Sequence, residues 1–203
     1  MPVRVIAGSR KGHKLVAPRG LDTRPTSDRV RENVFNLVGP VDGARVLDLF
    51  AGSGALGIEA LSRGAAGAVF VERDPEAVWT IERNLDRLRL SGARVVHGDV
   101  LRTIAQEATA GAKYDLVLVD PPYGMLTEIQ PRLARHLPPL LAADGLLVVE
   151  TDARTEPELP LPVRTSRRYG QTRVTLFEAP SGVGSTEPPG SGGAGMYGAG
   201  AGN

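Results

Sequence analysis

The sequence predicts an α/β fold: a mostly parallel seven-stranded sheet covered by helices on both faces and closed by an antiparallel C-terminal hairpin. Three observations carry this. Over residues 45–151, short β-branched runs alternate with longer runs of helical period, which is the pattern of repeated βα units. A glycine-rich stretch, Gly52-Ser53-Gly54-Ala55-Leu56-Gly57, stands where the first such run gives way to a helix. The last two β-rich runs, VRTSRRY and TRVTLFE, meet across Gly170-Gln171, as an edge hairpin would.

Residues 3–7 and 14–17 flank Gly8-Ser9-Arg10-Lys11-Gly12 and predict a small N-terminal hairpin. Ser27 is a helix cap with Asp28 in the first turn, and Val30, Val34, Leu37 and Val38 form the apolar stripe of the helix that follows. The parallel strands are ARVLDLF, AVFVE, ARVVHGD, YDLVLVD and GLLVVET. Between the first two lies the helix GALGIEALSRG. The next helix is capped by Asp74, takes Pro75 at its first position, and repeats Val78, Ile81, Leu85 and Leu88 at helical spacing. A fourth helix reaches about Ala110, and a fifth runs through Leu141.

A chain of 203 residues suits one core and a small appendage. With four Phe, four Tyr and one Trp, that core must be aliphatic. Cysteine is absent, which excludes disulfides, thiolate metal or iron-sulfur sites, and a Cys nucleophile. No metal site is expected. No apolar run approaches the roughly 18 residues of a membrane span, and the N-terminus lacks the apolar segment of a secretory signal. A soluble cytoplasmic protein is the expectation.

The total charge is +1, but its distribution is uneven. Residues 1–36 carry eight Lys or Arg against Asp22, Asp28 and Glu32, a net +5, which leaves −4 for the remainder. A basic end on a mildly acidic body suits an arm that meets a polyanion. Arg10, Lys11, Lys14, Arg24, Arg29 and Arg31 are the candidate phosphate contacts, with Arg167 and Arg168 as an extension of the patch. Residues 180–203, half of them Gly or Pro, bury too little apolar surface to offset their ordering entropy and read as a flexible tail.

The glycine stretch fits G-x-G-x-x-G, with Glu72 twenty residues after Gly52, and alone this also describes a dinucleotide site. Asp48, in the strand before the loop, breaks the tie. A carboxylate there repels a pyrophosphate and attracts the ammonium and sulfonium of S-adenosylmethionine. Glu72 then accepts from ribose hydroxyls, and Asp99 from the adenine amine. A nucleophile elbow would need Gly where Ala51 stands.

The strand YDLVLVD runs into Asp120-Pro121-Pro122-Tyr123, at the edge where an α/β sheet presents its ligands. Two prolines stiffen the turn. An exocyclic amine on a nucleobase is a poor nucleophile because its lone pair is delocalised into the ring. The Asp120 carboxylate and the Pro121 carbonyl can take its two N–H bonds and localise the lone pair, while Tyr123 stacks on the base. His13, His97 and His136 are not needed for this chemistry.

VLDLFAGSGALGIEALSRGA, Glu72 and DPPY resemble class I S-adenosylmethionine-dependent amino-methyltransferases. With RVIAGSRKGHKL and TRPTSDRVRENVFN added, the chain is similar to the bacterial RsmD family over about residues 2–179. The resemblance implies a Rossmann-like class I methyltransferase fold and methylation of guanine N2 in 16S ribosomal RNA. It implies that Asp48, Gly52, Gly54, Glu72 and Asp99 hold the cofactor, with Phe50 counted among them, and that Asp120, Pro121 and Tyr123 meet the target amine. The division that follows is a basic RNA-binding extension over 1–40, a methyltransferase domain over 41–179 and the tail over 180–203.

The expected partner is 16S rRNA, within a small subunit or an assembly intermediate, met by a monomer. Carbon-5 pyrimidine methylation is disfavoured, since it needs a Cys adduct. A DNA adenine or cytosine amino-methyltransferase would use the same corner, but an arm of about 40 residues is small for duplex readout. A non-catalytic ribosome assembly factor has no need of an intact Asp-Pro-Pro-Tyr, and an NAD-binding module conflicts with the charge of Asp48.

Overall fold

The computed structural model describes residues 3–18, 27–122 and 124–180. Seven strands form one sheet in the order β3-β2-β1-β4-β5-β7-β6. The first five, β1 (Arg45–Leu49), β2 (Gly67–Glu72), β3 (Ala93–His97), β4 (Tyr114–Val119) and β5 (Leu141–Asp152), are parallel to their neighbours among themselves. β6 (Val163–Tyr169) and β7 (Thr172–Glu178) close the edge antiparallel, as the hairpin reading expects.

Helices cover both faces because the strands are apolar on both. α1 (Asp28–Val38), α2 (Ala55–Ser62) and α3 (Pro75–Leu88) bury Val34, Phe35, Ile58, Ile81 and Leu85 against Phe70, Leu118 and Leu176. α4 (Val100–Thr109) and α5 (Leu126–His136) bury Ile104, Ile129 and Leu133 against Leu47, Val117 and Phe177 on the other face. Three of the five starts are capped by a side chain. The Ser27 hydroxyl accepts from Val30 N, the Asp74 carboxylate from Glu76 N and Ala77 N, and the Asp99 carboxylate from Arg102 N.

Four details differ from the sequence expectation. On α1 the buried stripe is Val30, Arg31, Val34 and Phe35, with Leu37 and Val38 only half-buried. On α3 Val78 is half-buried, while Ala77 and Asn84 are inside. α5 ends at His136, because Pro138 and Pro139 offer no N–H to continue it. The chain instead passes through a 3-10 turn, Pro138–Leu140, and β5 begins at Leu141 rather than Gly145. The N-terminal hairpin is reduced to a single bridge, Arg4 to Lys14, with Leu15 N donating to Val3 O and Val5 N to His13 O.

The arm nevertheless packs as part of the body. Val3, Val5 and Leu15 share one apolar cluster with the sheet and with α1 to α3. Its turn lies so tightly on α2 that a Cβ on Gly8 would stand 1.8 Å from Ser62 O.

Candidate functional site

The strand order reverses between the parallel neighbours β1 and β4, and ligands of open α/β sheets bind beyond the carboxyl ends of the strands at such a point. Leu49 at the end of β1 pairs with Val71 on one side and Val119 on the other. The loops that leave these strands therefore meet. Asp120 N approaches Leu49 O at 3.5 Å, Ala51 N donates to Val71 O at 3.1 Å, and Gly98 N donates to Glu72 O at 2.9 Å.

Four sequence-picked acids follow one another along this edge: Asp99 after β3, Glu72 at β2, Asp48 in β1 and Asp120 after β4. Three strand spacings separate the first from the last, about 14 Å. Glu72 Oε2 accepts from Gly52 N at 2.9 Å, and its Oε1 accepts from Arg73 N at 2.7 Å and Asp74 N at 3.0 Å. A carboxylate has about four acceptor positions, so capacity for one more donor remains. Asp99 spends Oδ1 on capping α4 and is otherwise exposed.

The glycine loop is held in an unusual conformation. Phe50 has φ +59°, a left-handed value that costs a residue with a Cβ about 1–2 kcal/mol and persists where the surroundings enforce it. α2 follows at once, and its Gly57 permits close packing. A Cβ there would lie 2.3 Å from the Phe70 ring and 3.0 Å from Asp48 Oδ2.

Asp48 lies inside the fold rather than at its surface. It is 1% exposed, and Oδ2 accepts from Gly57 N at 2.9 Å. Burial pushes its pKa up to about 8, with the Asp120 and Glu72 carboxylates raising it further and the Gly57 bond opposing them. Asp48 braces the start of α2 beneath the loop.

The basic arm is corrected. Arg31 is 0% exposed; it donates to Arg4 O and pairs with Asp28 at 2.9 Å, with Glu59 at 3.9 Å. It cannot reach a phosphate. Arg10 is half-buried, and its guanidinium donates to Leu88 O, Arg89 O and Ser9 O. It closes the C-terminal end of α3, where a cation is favoured. Lys11, Lys14 and Arg29 are exposed. In register, Arg167 pairs with Val174 and shares the α1 face, whereas Arg168 pairs with Arg173 and lies on the opposite face. Arg24, Tyr123 and residues 181–203 lie outside the described residues.

Glu59, Asn84 and Glu150 are among the buried polar residues that escaped the sequence reading. Glu59 on α2 accepts from Ile6 N at 2.8 Å, Ala7 N at 2.9 Å and Arg63 Nε at 2.7 Å, fixing the arm. Asn84 on α3 bonds both to the arm and to the glycine loop. Glu150, one residue beyond the Val119 to Val149 pair, stands buried beside the Asp120 corner. An acid ending the apolar run LLVVE was a visible signal for the last; nothing local marked the first two.

A doubly wound sheet with a tight glycine loop and an Asp-Pro-Pro corner at its switch point is the Rossmann-like class I methyltransferase fold. The solved Escherichia coli methyltransferase yhhF superposes with a TM-score of 0.75 at 36% identity, covering 89% of this chain and 99% of that one. The family model described as conserved hypothetical protein 95 matches residues 3–178. Ribosomal RNA small subunit methyltransferase D of Escherichia coli is 42% identical over 182 residues, 87% of this chain and 89% of its own. YlbH of Bacillus subtilis, an rRNA methyltransferase by name, is 41% identical over 189 residues, 87% of this chain and 98% of its own. The chain belongs to this family, the RsmD family of methyltransferases. Among the described residues no helix is long and apolar enough to cross a membrane.

Proposed function

We propose that the protein transfers a methyl group from S-adenosylmethionine to the exocyclic N2 of a guanine in 16S ribosomal RNA of the small subunit, acting as a monomer. The observation that carries this is the meeting of the glycine loop and the Asp120-Pro121 corner, where Asp120 N approaches Leu49 O at 3.5 Å. The names of the Escherichia coli and Bacillus subtilis relatives support ribosomal RNA as the substrate.

The residues present fit the cofactor. Acceptors at Asp99 and Glu72 suit an adenine amine and a ribose diol, in that order along the edge. The loop over 50–54 offers close backbone approach to the methionyl part, and Asp48 below it gains charge when a cation arrives. When bound, the cofactor supplies an electrophilic methyl: a C–N bond forms as the S–C bond breaks, and the amine then loses a proton. Asp120 and the Pro121 carbonyl orient the amine by accepting its two N–H bonds. Asp120 or solvent takes the departing proton, and Tyr123 stacks on the base. Residues 1–40 act as the RNA-binding extension, with Lys11, Lys14, Arg24 and Arg29 facing phosphate.

The test incubates small ribosomal subunits lacking the modification with methyl-labelled S-adenosylmethionine and maps the labelled base. Label at guanine N2, lost in Asp120→Ala while S-adenosylhomocysteine still binds, is the expected result. Label on cytosine, on DNA alone, or equal labelling by Asp120→Ala overturns the proposal.

A further inference from the structure

We propose that Asn84 is a positioning residue that couples the basic arm to the glycine loop, so that RNA and cofactor each strengthen binding of the other. The inference rests on the function proposed above and adds a linkage between its two binding surfaces.

Asn84 sits well inside α3 and is 1% exposed. Its Oδ1 accepts from Val16 N at 2.8 Å, and its Nδ2 donates to Val16 O at 3.0 Å and to Ser53 O at 3.1 Å. One carbonyl and two N–H groups match these three backbone partners, a set that neither an acid nor an apolar residue offers. Asn is a weak helix former, and a buried amide is costly unless satisfied. Bridging two separate segments is the physical return for that placement.

The two segments matter to different ligands. Val16 lies two residues from the exposed Lys14, on the leg of the arm that Leu15 N ties to Val3 O. Ser53 lies between Gly52, whose N–H is held by Glu72, and Gly54, which immediately precedes α2. The other leg of the arm is fixed as well, since Glu59 on α2 accepts from Ile6 N and Ala7 N. The arm thus grips the loop through Asn84 and the helix after it through Glu59. A ligand that orders either end lowers the cost of ordering the other, and such coupling is reciprocal.

The test measures the affinity of S-adenosylhomocysteine by calorimetry, with and without a 16S rRNA transcript, for the wild-type protein and for Asn84→Asp. Wild-type affinity should rise about tenfold with RNA, inside the usual span of coupling between sites. In Asn84→Asp, which turns both donors into an acceptor, this factor should fall to within about twofold of unity. The salt dependence of RNA binding should be unchanged, because Lys11, Lys14 and Arg29 remain. A purely structural role would alter stability and leave the coupling factor intact.

Absence of coupling in the wild type, or full coupling in Asn84→Asp, overturns the inference. If the wild type binds no S-adenosylhomocysteine, the proposed function fails instead. Should Asn84→Asp not fold, hydrogen exchange in the wild type decides: S-adenosylhomocysteine should slow the Val16 amide more than the Ala153 amide, which donates to Gln171 O outside this linkage. Equal slowing of the two overturns the inference.

Discussion

The buried Asp48 carboxyl accepts a hydrogen bond from Gly57 N at 2.9 Å, across the loop that separates β1 from α2. Burial holds its pKa near 8, up from an ordinary 3.8. In the folded chain the group keeps a proton that the unfolded chain releases. Its contribution to stability is therefore complete below about pH 4 and is lost as pH rises through about 8. A cation bound nearby favours the ionised form. Affinity for S-adenosylmethionine should rise with pH toward about 8 and level off above it, with a shallower rise for S-adenosylhomocysteine, which lacks the sulfonium. Calorimetry across this range checks it, and Asp48→Asn should flatten the profile.

Gly57→Ala forces a methyl into the Phe70 ring, 2.3 Å from the site of the new Cβ. Overpacking of this kind costs about 1–3 kcal/mol. A lower urea midpoint with unchanged slope is the expected outcome, accompanied by weaker S-adenosylhomocysteine binding, because the same shift disturbs the Asp48 to Gly57 bond.

Lys11, Lys14 and Arg29 are exposed cations of the predicted patch on the N-terminal arm and α1. Replacing all three by Ala should reduce the slope of log affinity for RNA against log salt by about two to three, roughly one per phosphate contact. Affinity for S-adenosylhomocysteine should stay within about twofold, measured without RNA, since all three side chains are exposed.

Arg31→Leu should act on stability instead. It removes a cation enclosed with Glu59 and Asp28, and an orphaned buried charge costs about 3–5 kcal/mol. Arg63 still pairs with Glu59 at 2.7 Å, which places the loss near the lower end of that range. Chemical denaturation measures it, and RNA affinity per folded molecule should hold.

The order of strands and helices, the caps at Ser27 and Asp74, and the glycine loop with its Asp-Pro-Pro corner were legible in the sequence, whereas the cap that Asp99 makes on α4 was not. Each legible feature depends on neighbours a few residues apart, so periodicity and cap chemistry express it directly. The burial of Asp48 and of Arg31, the turning of Arg10 onto the end of α3, and the bridge made by Asn84 were not legible. Arg10 meets Leu88, Asn84 meets Val16 across 68 positions, and Asp48 titrates beside Asp120. A local pattern records that a residue is charged or polar, and only the packed fold determines whether water, a carboxylate or a distant backbone amide stands next to it.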